Sequence, residues 1–143
     1  MSAKVSYLWP IIAPTLVPAA CADRANKPNY APPALTQAPA SGFPTLDDVN
    51  ITSIDGTKFR FETTAGPSAS LSDVLTVIYC KVDKYRAENG FDAWDVEQVQ
   101  RTSSSRGTGP QGILAVIGLA KNPIPADFNA VAKDWCAEMD TLS

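Results

Sequence analysis

Ile113-Leu114-Ala115-Val116-Ile117-Gly118-Leu119-Ala120 is a run without a charged or polar side chain, β-rich at its centre and bounded by glycine and proline. A strand covered on both faces carries continuous rather than alternating hydrophobicity, and a short run of this kind reads as such a strand. It is read as the central strand of a sheet.

Upstream lies the polar stretch Thr102-Ser103-Ser104-Ser105-Arg106-Gly107-Thr108-Gly109-Pro110, read as a loop, and before it Phe91–Gln100, read as a strand with Trp94 and Val96 on one face. Further back, Leu71, Val74, Leu75, Ile78, Val82 and Tyr85 recur at helical spacing. Ser70 or Ser72 can cap this helix, which runs to about Asn89 and is ended by Gly90. Val49/Ile51 and Phe59/Phe61 alternate with polar neighbours about Asp55-Gly56, which predicts a hairpin with a type I′ turn and positive φ at the centre. Beyond Asn122-Pro123-Ile124-Pro125 a last helix is predicted from near Ala126, with Phe128, Val131, Ala132, Trp135, Met139 and Leu142 on one face. The order ββαββα predicts an α+β fold, a two-layer sandwich in which two helices cover one face of a mainly antiparallel four-stranded sheet.

The formal charge is −3 over 143 residues, and the basic residues are scattered singly. Without a basic cluster or an aromatic-basic stripe, nucleic-acid binding is disfavoured. The chain has no histidine. That excludes Ser-His-Asp and Cys-His catalysis and removes the commonest metal ligand. Gly107-Thr108-Gly109-Pro110-Gln111-Gly112 matches the dinucleotide fingerprint in letters, but the run from Ile113 onward is strand-like rather than helical, so the segment is read as a hairpin connection. Asp92, Asp95 and Glu97, with Asp47 and Asp48, are read as a solvated face rather than as paired acids or a calcium loop. Asn50-Ile51-Thr52 is a sequon placed within a strand. No catalytic residue, cofactor or metal site is assigned, and the chain is expected not to be an enzyme.

The first 21 residues resemble an export signal. Lys4 precedes the apolar stretch Val5–Ala20, which ends in small residues before Cys21. A cysteine there invites lipidation, although Pro18 stands where a lipobox carries leucine. Ala20-Cys21-Ala22 also fits an ordinary cleavage site that leaves Asp23 first, and an uncleaved arm that keeps Trp9, to be buried against lipid or another subunit, is a third form. Eight of the twelve prolines (10, 14, 18, 28, 32, 33, 39 and 44) lie in the first 44 residues. Residues 22–44 are accordingly read as a semi-extended tether with a reach of roughly 60 Å at about 3 Å per residue. Residues 45–143 form the small α+β domain. If Cys21 is lipidated, Cys80 and Cys136 remain as an even pair in an oxidising compartment and are the candidate disulfide. Against this, Cys80 projects nearly opposite the centre of its helix's buried face.

Lys58-Phe59-Arg60-Phe61, Val77-Ile78-Tyr79-Cys80-Lys81-Val82, Asn89-Gly90-Phe91-Asp92-Ala93-Trp94-Asp95-Val96 and Val116–Asp127 together resemble a family of small lipoproteins from Gram-negative bacteria over about residues 47–135. The resemblance implies an envelope lipoprotein of no established activity and carries over no functional residue. The expectation is a non-enzymatic accessory or scaffold component of a membrane-associated assembly, on the periplasmic side. It would be held to a membrane by lipid on Cys21 or by the apolar arm and would bind envelope proteins. The alternative is a periplasmic small-ligand or cell-wall-binding module.

Overall fold

The computed structural model describes residues 30–33, 35, 38–39, 41–103 and 107–142. The chain divides into two compact units, Met1–Ala31 and Pro32–Ser143. In the first, only Tyr30 and Ala31 are described, so the apolar opening, Trp9, Cys21 and much of the expected tether lie outside the described residues.

The second unit runs through a 3-10 turn (Leu46–Asp48), β1 (Asn50–Ser53), β2 (Lys58–Ala65), α1 (Leu71–Glu88), β3 (Ala93–Ser103), β4 (Gln111–Ala120) and α2 (Trp135–Asp140). Its fold is α+β with the order ββαββα. The four strands form one sheet ordered β1-β2-β4-β3, with every neighbouring pair antiparallel. β4 is internal and buried at every position, as its unbroken apolar sequence requires. Because β2 and β3 are both antiparallel to β4, they run parallel to each other. The link between them must therefore cross over the sheet, and α1 makes that crossing.

α1 begins where Ser70 Oγ accepts a hydrogen bond from the Asp73 N–H at 3.1 Å. It ends at Glu88, with Asn89 as its cap and then Gly90, whose φ of 74° suits glycine. Its inner side sets Val74, Ile78 and Val82 in one cluster with Phe59, Phe61, Ile113, Ala115 and Ile117. The Tyr85 ring lies 5.1 Å from Phe59 and 5.8 Å from Phe61. Trp94 pins β3 to the helix: its ring is 5.4 Å from Tyr79, and its Nε1–H donates to Asp83 Oδ1 at 3.3 Å. On the other face of the sheet, Arg60 and Glu62 lie opposite Val116 and Leu114 and pair at 2.6 Å. Arg60 Nη2 also donates to the Pro32 carbonyl at 3.3 Å, and Pro33 is buried. Folding thus extends upstream of Thr45. Pro44 is buried, and the Gly66 N–H donates to the Gly42 carbonyl at 2.8 Å.

Three expectations are corrected. Ser53 pairs with Phe59, so the β1–β2 loop is Ile54–Thr57 rather than a two-residue turn, and Gly56 does not have positive φ. The Asp55 carboxylate organises this longer loop, accepting from the N–H groups of Thr57 and Lys58, each at 2.8 Å. The last helix starts at Trp135, not Ala126. Residues 121–134 are irregular, with a cis Asn122-Pro123 bond, and the Val131 N–H donates to the Trp94 carbonyl at 2.9 Å along the outer edge of β3. That segment serves the sheet edge and then turns so that Asp134 caps α2 by accepting from the Ala137 N–H at 3.0 Å. Finally, Cys80 is fully buried. α2 packs on α1 and covers the flank that the helical wheel assigns to solvent.

Candidate functional site

Cys80 and Cys136 form a disulfide with Cα atoms 4.6 Å apart. Their approach is set by ring packing. Trp135 meets Tyr79 edge-on at 4.9 Å, and Lys133 lies over the Trp135 ring at 4.7 Å, so α2 is fixed at its first residue. Burial raises the Tyr79 pKa above its ordinary value.

Fixing α2 creates a groove of about 510 Å³ between its far end and the chain that leads into the sheet. Met139, Asp140 and Leu142 form one wall, Phe43 to Asp47 the other, and Val77 of α1 contributes to the floor. The second wall is held by a local device. The Thr45 N–H donates to Asp48 Oδ2 at 2.7 Å, and the Asp48 N–H returns to the Thr45 carbonyl at 3.0 Å, winding Leu46–Asp48 into a 3-10 turn. The Thr63 hydroxyl donates to the Asp48 carbonyl at 3.0 Å and anchors the turn to β2. Leu46 and Met139 are half-buried, and Leu142 is 37% exposed, so apolar surface stays exposed there.

A second cleft, of about 520 Å³, lies at the end of the sheet where β2 begins and β4 ends. Lys58, Glu97, Gly118, Lys121, Pro123, Pro125 and Phe128 are among its lining residues. Lys58 Nζ is 3.3 Å from Glu97 Oε1, and Lys121 Nζ lies 5.2 Å from the Phe91 ring centre. Asp95 and Glu97 both lean over Gly118. Asp95 Oδ1 is shut off from solvent without a hydrogen-bond partner among the described residues. Burial first, then the Glu97 charge, push the Asp95 pKa up; hydrogen bonds from its own N–H and that of Asn129 oppose this, and Asp127 adds to the rise. Asp95 therefore departs from the expected solvated face, while Asp92 instead accepts from the Asn122 N–H at 2.6 Å.

Among the described residues no group of three or more His, Cys, Asp or Glu side chains is placed to hold a metal ion, and no helix is long and apolar enough to cross a membrane. Gly107–Pro110 belongs to the β3–β4 connection, with Ser103 paired to Gln111, so the glycine motif leads into a strand. Of the residues singled out in the sequence, the structure joins Cys80 to Cys136, places Asp47 on the groove rim and brings Asp95 to Glu97. Cys21 lies outside the described residues. Leu46 and Leu142 escaped notice as site residues. The available signal was Phe43-Pro44-Thr45-Leu46, where large apolar residues reappear after the small, proline-rich stretch. No family model, curated protein or solved structure matches this chain.

Proposed function

We propose that this protein is a non-enzymatic component of the bacterial envelope. In this reading it is anchored by lipid on Cys21 and acts as an accessory or scaffold subunit of a membrane-associated assembly. The observation that carries the compartment is the Cys80–Cys136 disulfide, since such bonds form and persist in oxidising compartments. It stands beside the signal-like opening that ends at Cys21. A binding role draws support from the open apolar groove beside α2. Acyl chains add about 0.8 kcal/mol per buried methylene, so more than one chain holds such a protein on a bilayer without a spanning helix.

The test is fractionation of the wild-type chain and Cys21→Ser, with a gentle membrane pull-down and mass measurement of both the partners and the mature N-terminus. Acylated Cys21 at the N-terminus, loss of membrane association in the variant and a specific envelope partner are expected. A mature chain with Met1 intact, or one starting at Asp23 without acyl mass, would overturn the anchor.

A second reading, a small-ligand or cell-wall-binding module, is favoured by the mixed polar and apolar cleft of Lys58, Glu97, Lys121 and Phe128. Saturable binding of soluble cell-wall fragments, lost in Lys121→Gln, would select it over the first.

A further inference from the structure

We infer that the outer face of the sheet is a docking surface for the chain's own proline-rich segment, residues 32–40, which lies over β2 and β4 as a strap. The inference goes beyond the envelope reading and does not rest on it.

The face needs a cover. Side chains alternate along a strand, so Leu114 and Val116 of β4 point away from α1, yet both are fully buried. Arg60 and Glu62 of β2, directly opposite them, keep only 17% and 20% of their side chains exposed. Among the described residues both helices are on the other side, α1 against the sheet and α2 on α1.

The segment is pinned at both ends of its path. At one end the Arg60 guanidinium, already paired with Glu62, donates from Nη2 to the Pro32 carbonyl at 3.3 Å. At the other, the Gly66 N–H just beyond β2 donates to the Gly42 carbonyl at 2.8 Å. A Cβ on Gly66 would lie 3.1 Å from Gly42 Cα, so the two backbones touch there. Arg60 and Gly66 are about 20 Å apart along β2 at roughly 3.3 Å per residue, and the chain from Pro32 to Gly42 reaches about 31 Å when extended. It therefore follows β2 with slack. Between the pins, Pro33 is buried and Ala38 and Pro39 are half-buried, as residues lying on a surface are.

The composition suits that position. Proline has no N–H to leave unpaired against an apolar face, and its fixed φ lowers the cost of ordering an extended chain. Prolines also interrupt edge-on strand pairing, so stacking on the face is the mode this composition favours. If Cys21 is anchored, at most residues 22–31 remain as a tether. The reach then falls from roughly 60 Å to about 30 Å at about 3 Å per residue, which holds the domain close to the bilayer.

The experiment uses the full chain with Cys21→Ser, so that an introduced thiol is free while Cys80 and Cys136 stay bonded. Val116→Cys should resist a maleimide in the native chain. Adding Pro33→Asp, which puts a charge beneath the strap, should speed its labelling by about tenfold or more. Ala115→Cys, beneath α1, should stay slow in both backgrounds. Rapid labelling of Val116→Cys without Pro33→Asp, or labelling that Pro33→Asp leaves slow, would overturn the inference. A second measurement needs no disruptive change and decides the matter if Pro33→Asp unfolds the domain and Ala115→Cys reacts as well. With p-benzoylphenylalanine in place of Leu35, which is exposed, irradiation should give adducts to β2 or β4 within one molecule, mapped by mass spectrometry. Adducts confined to other parts of the chain would overturn the inference. So would adducts between isotopically distinct copies, which would show a strap exchanged between molecules.

Discussion

Gly118 stands directly across from Asp95 in the β3–β4 ladder, and a Cβ at Gly118 would lie 2.7 Å from Asp95 Oδ1 and 2.8 Å from Glu97 Oε2. The missing side chain is what lets two carboxylates fold over the central strand. Gly118→Val should therefore force both carboxylates aside, including the one held by Lys58, and cost about 1–3 kcal/mol. Urea unfolding checks this, and an unchanged midpoint would show that the carboxylates move freely.

Asp95 itself should give a pH signature. Its native pKa lies above the ordinary value of 3.8, so the folded chain holds this proton more tightly than the unfolded one. The stability it contributes is complete below the unfolded pKa, is lost as pH rises through the native value and remains lost at neutrality. Asp95→Asn should raise the melting temperature at pH 7, and the advantage should shrink on acidification. Parallel melting curves at neutral and acidic pH test the sign.

At the β1–β2 loop the opposite sign applies to Asp55. Its pKa is lowered, chiefly by the Thr57 N–H and also by the Lys58 N–H, so its contribution is present above the unfolded value and is lost as pH falls through the native one. Asp55→Ala should lower the melting temperature at neutral pH. Gly56→Ala should stay within about 0.5 kcal/mol of wild type, because no atom beyond the neighbouring residues lies within 4 Å of the added Cβ and φ there is not positive. A larger loss in Gly56→Ala than in Asp55→Ala would restore the glycine-centred turn.

The disulfide should dominate the stability of the C-terminal limb. Cys80 and Cys136 are separated by 56 positions, and removing a bond of this kind from a small domain typically costs about 2–5 kcal/mol. Unfolding of Cys80→Ala with Cys136→Ala, compared with the oxidised wild type, measures it. Thiol labelling of the denatured, unreduced protein should modify neither residue.

What the sequence made legible was periodic. The unbroken run Ile113–Ala120 marked the inner strand, Leu71–Tyr85 repeated at helical spacing before Gly90, and Phe59/Phe61 alternated as a half-buried strand does. Where long-range packing overrides local pattern, the reading failed. Val131 spaces like a helical residue with Trp135, yet its N–H is taken by Trp94, far back in the chain. Cys80 lies on the polar side of a wheel drawn for one helix against one sheet, and α2 makes that side interior. Asp55-Gly56 marked the loop correctly, but the carboxylate shapes it rather than the glycine's freedom. The groove was hidden for the same reason: its walls, at Phe43–Asp47 and Met139–Leu142, meet only when the fold is complete.

The Cys80–Cys136 bond also closes a covalent ring that takes in the end of α1, all of β3 and β4 and the segment leading to α2, while β1 and β2 stay outside it. Sheet pairing between β2 and β4 thus joins a strand outside the ring to one inside. A protease that nicks the β3–β4 connection, where Gly107 and Thr108 are exposed, opens the ring without dividing the molecule. The two pieces remain linked through sulfur, with the sheet's hydrogen bonds still available to hold them in place. Cleavage at that site would pass unseen on a non-reducing gel and become visible only once the disulfide is reduced.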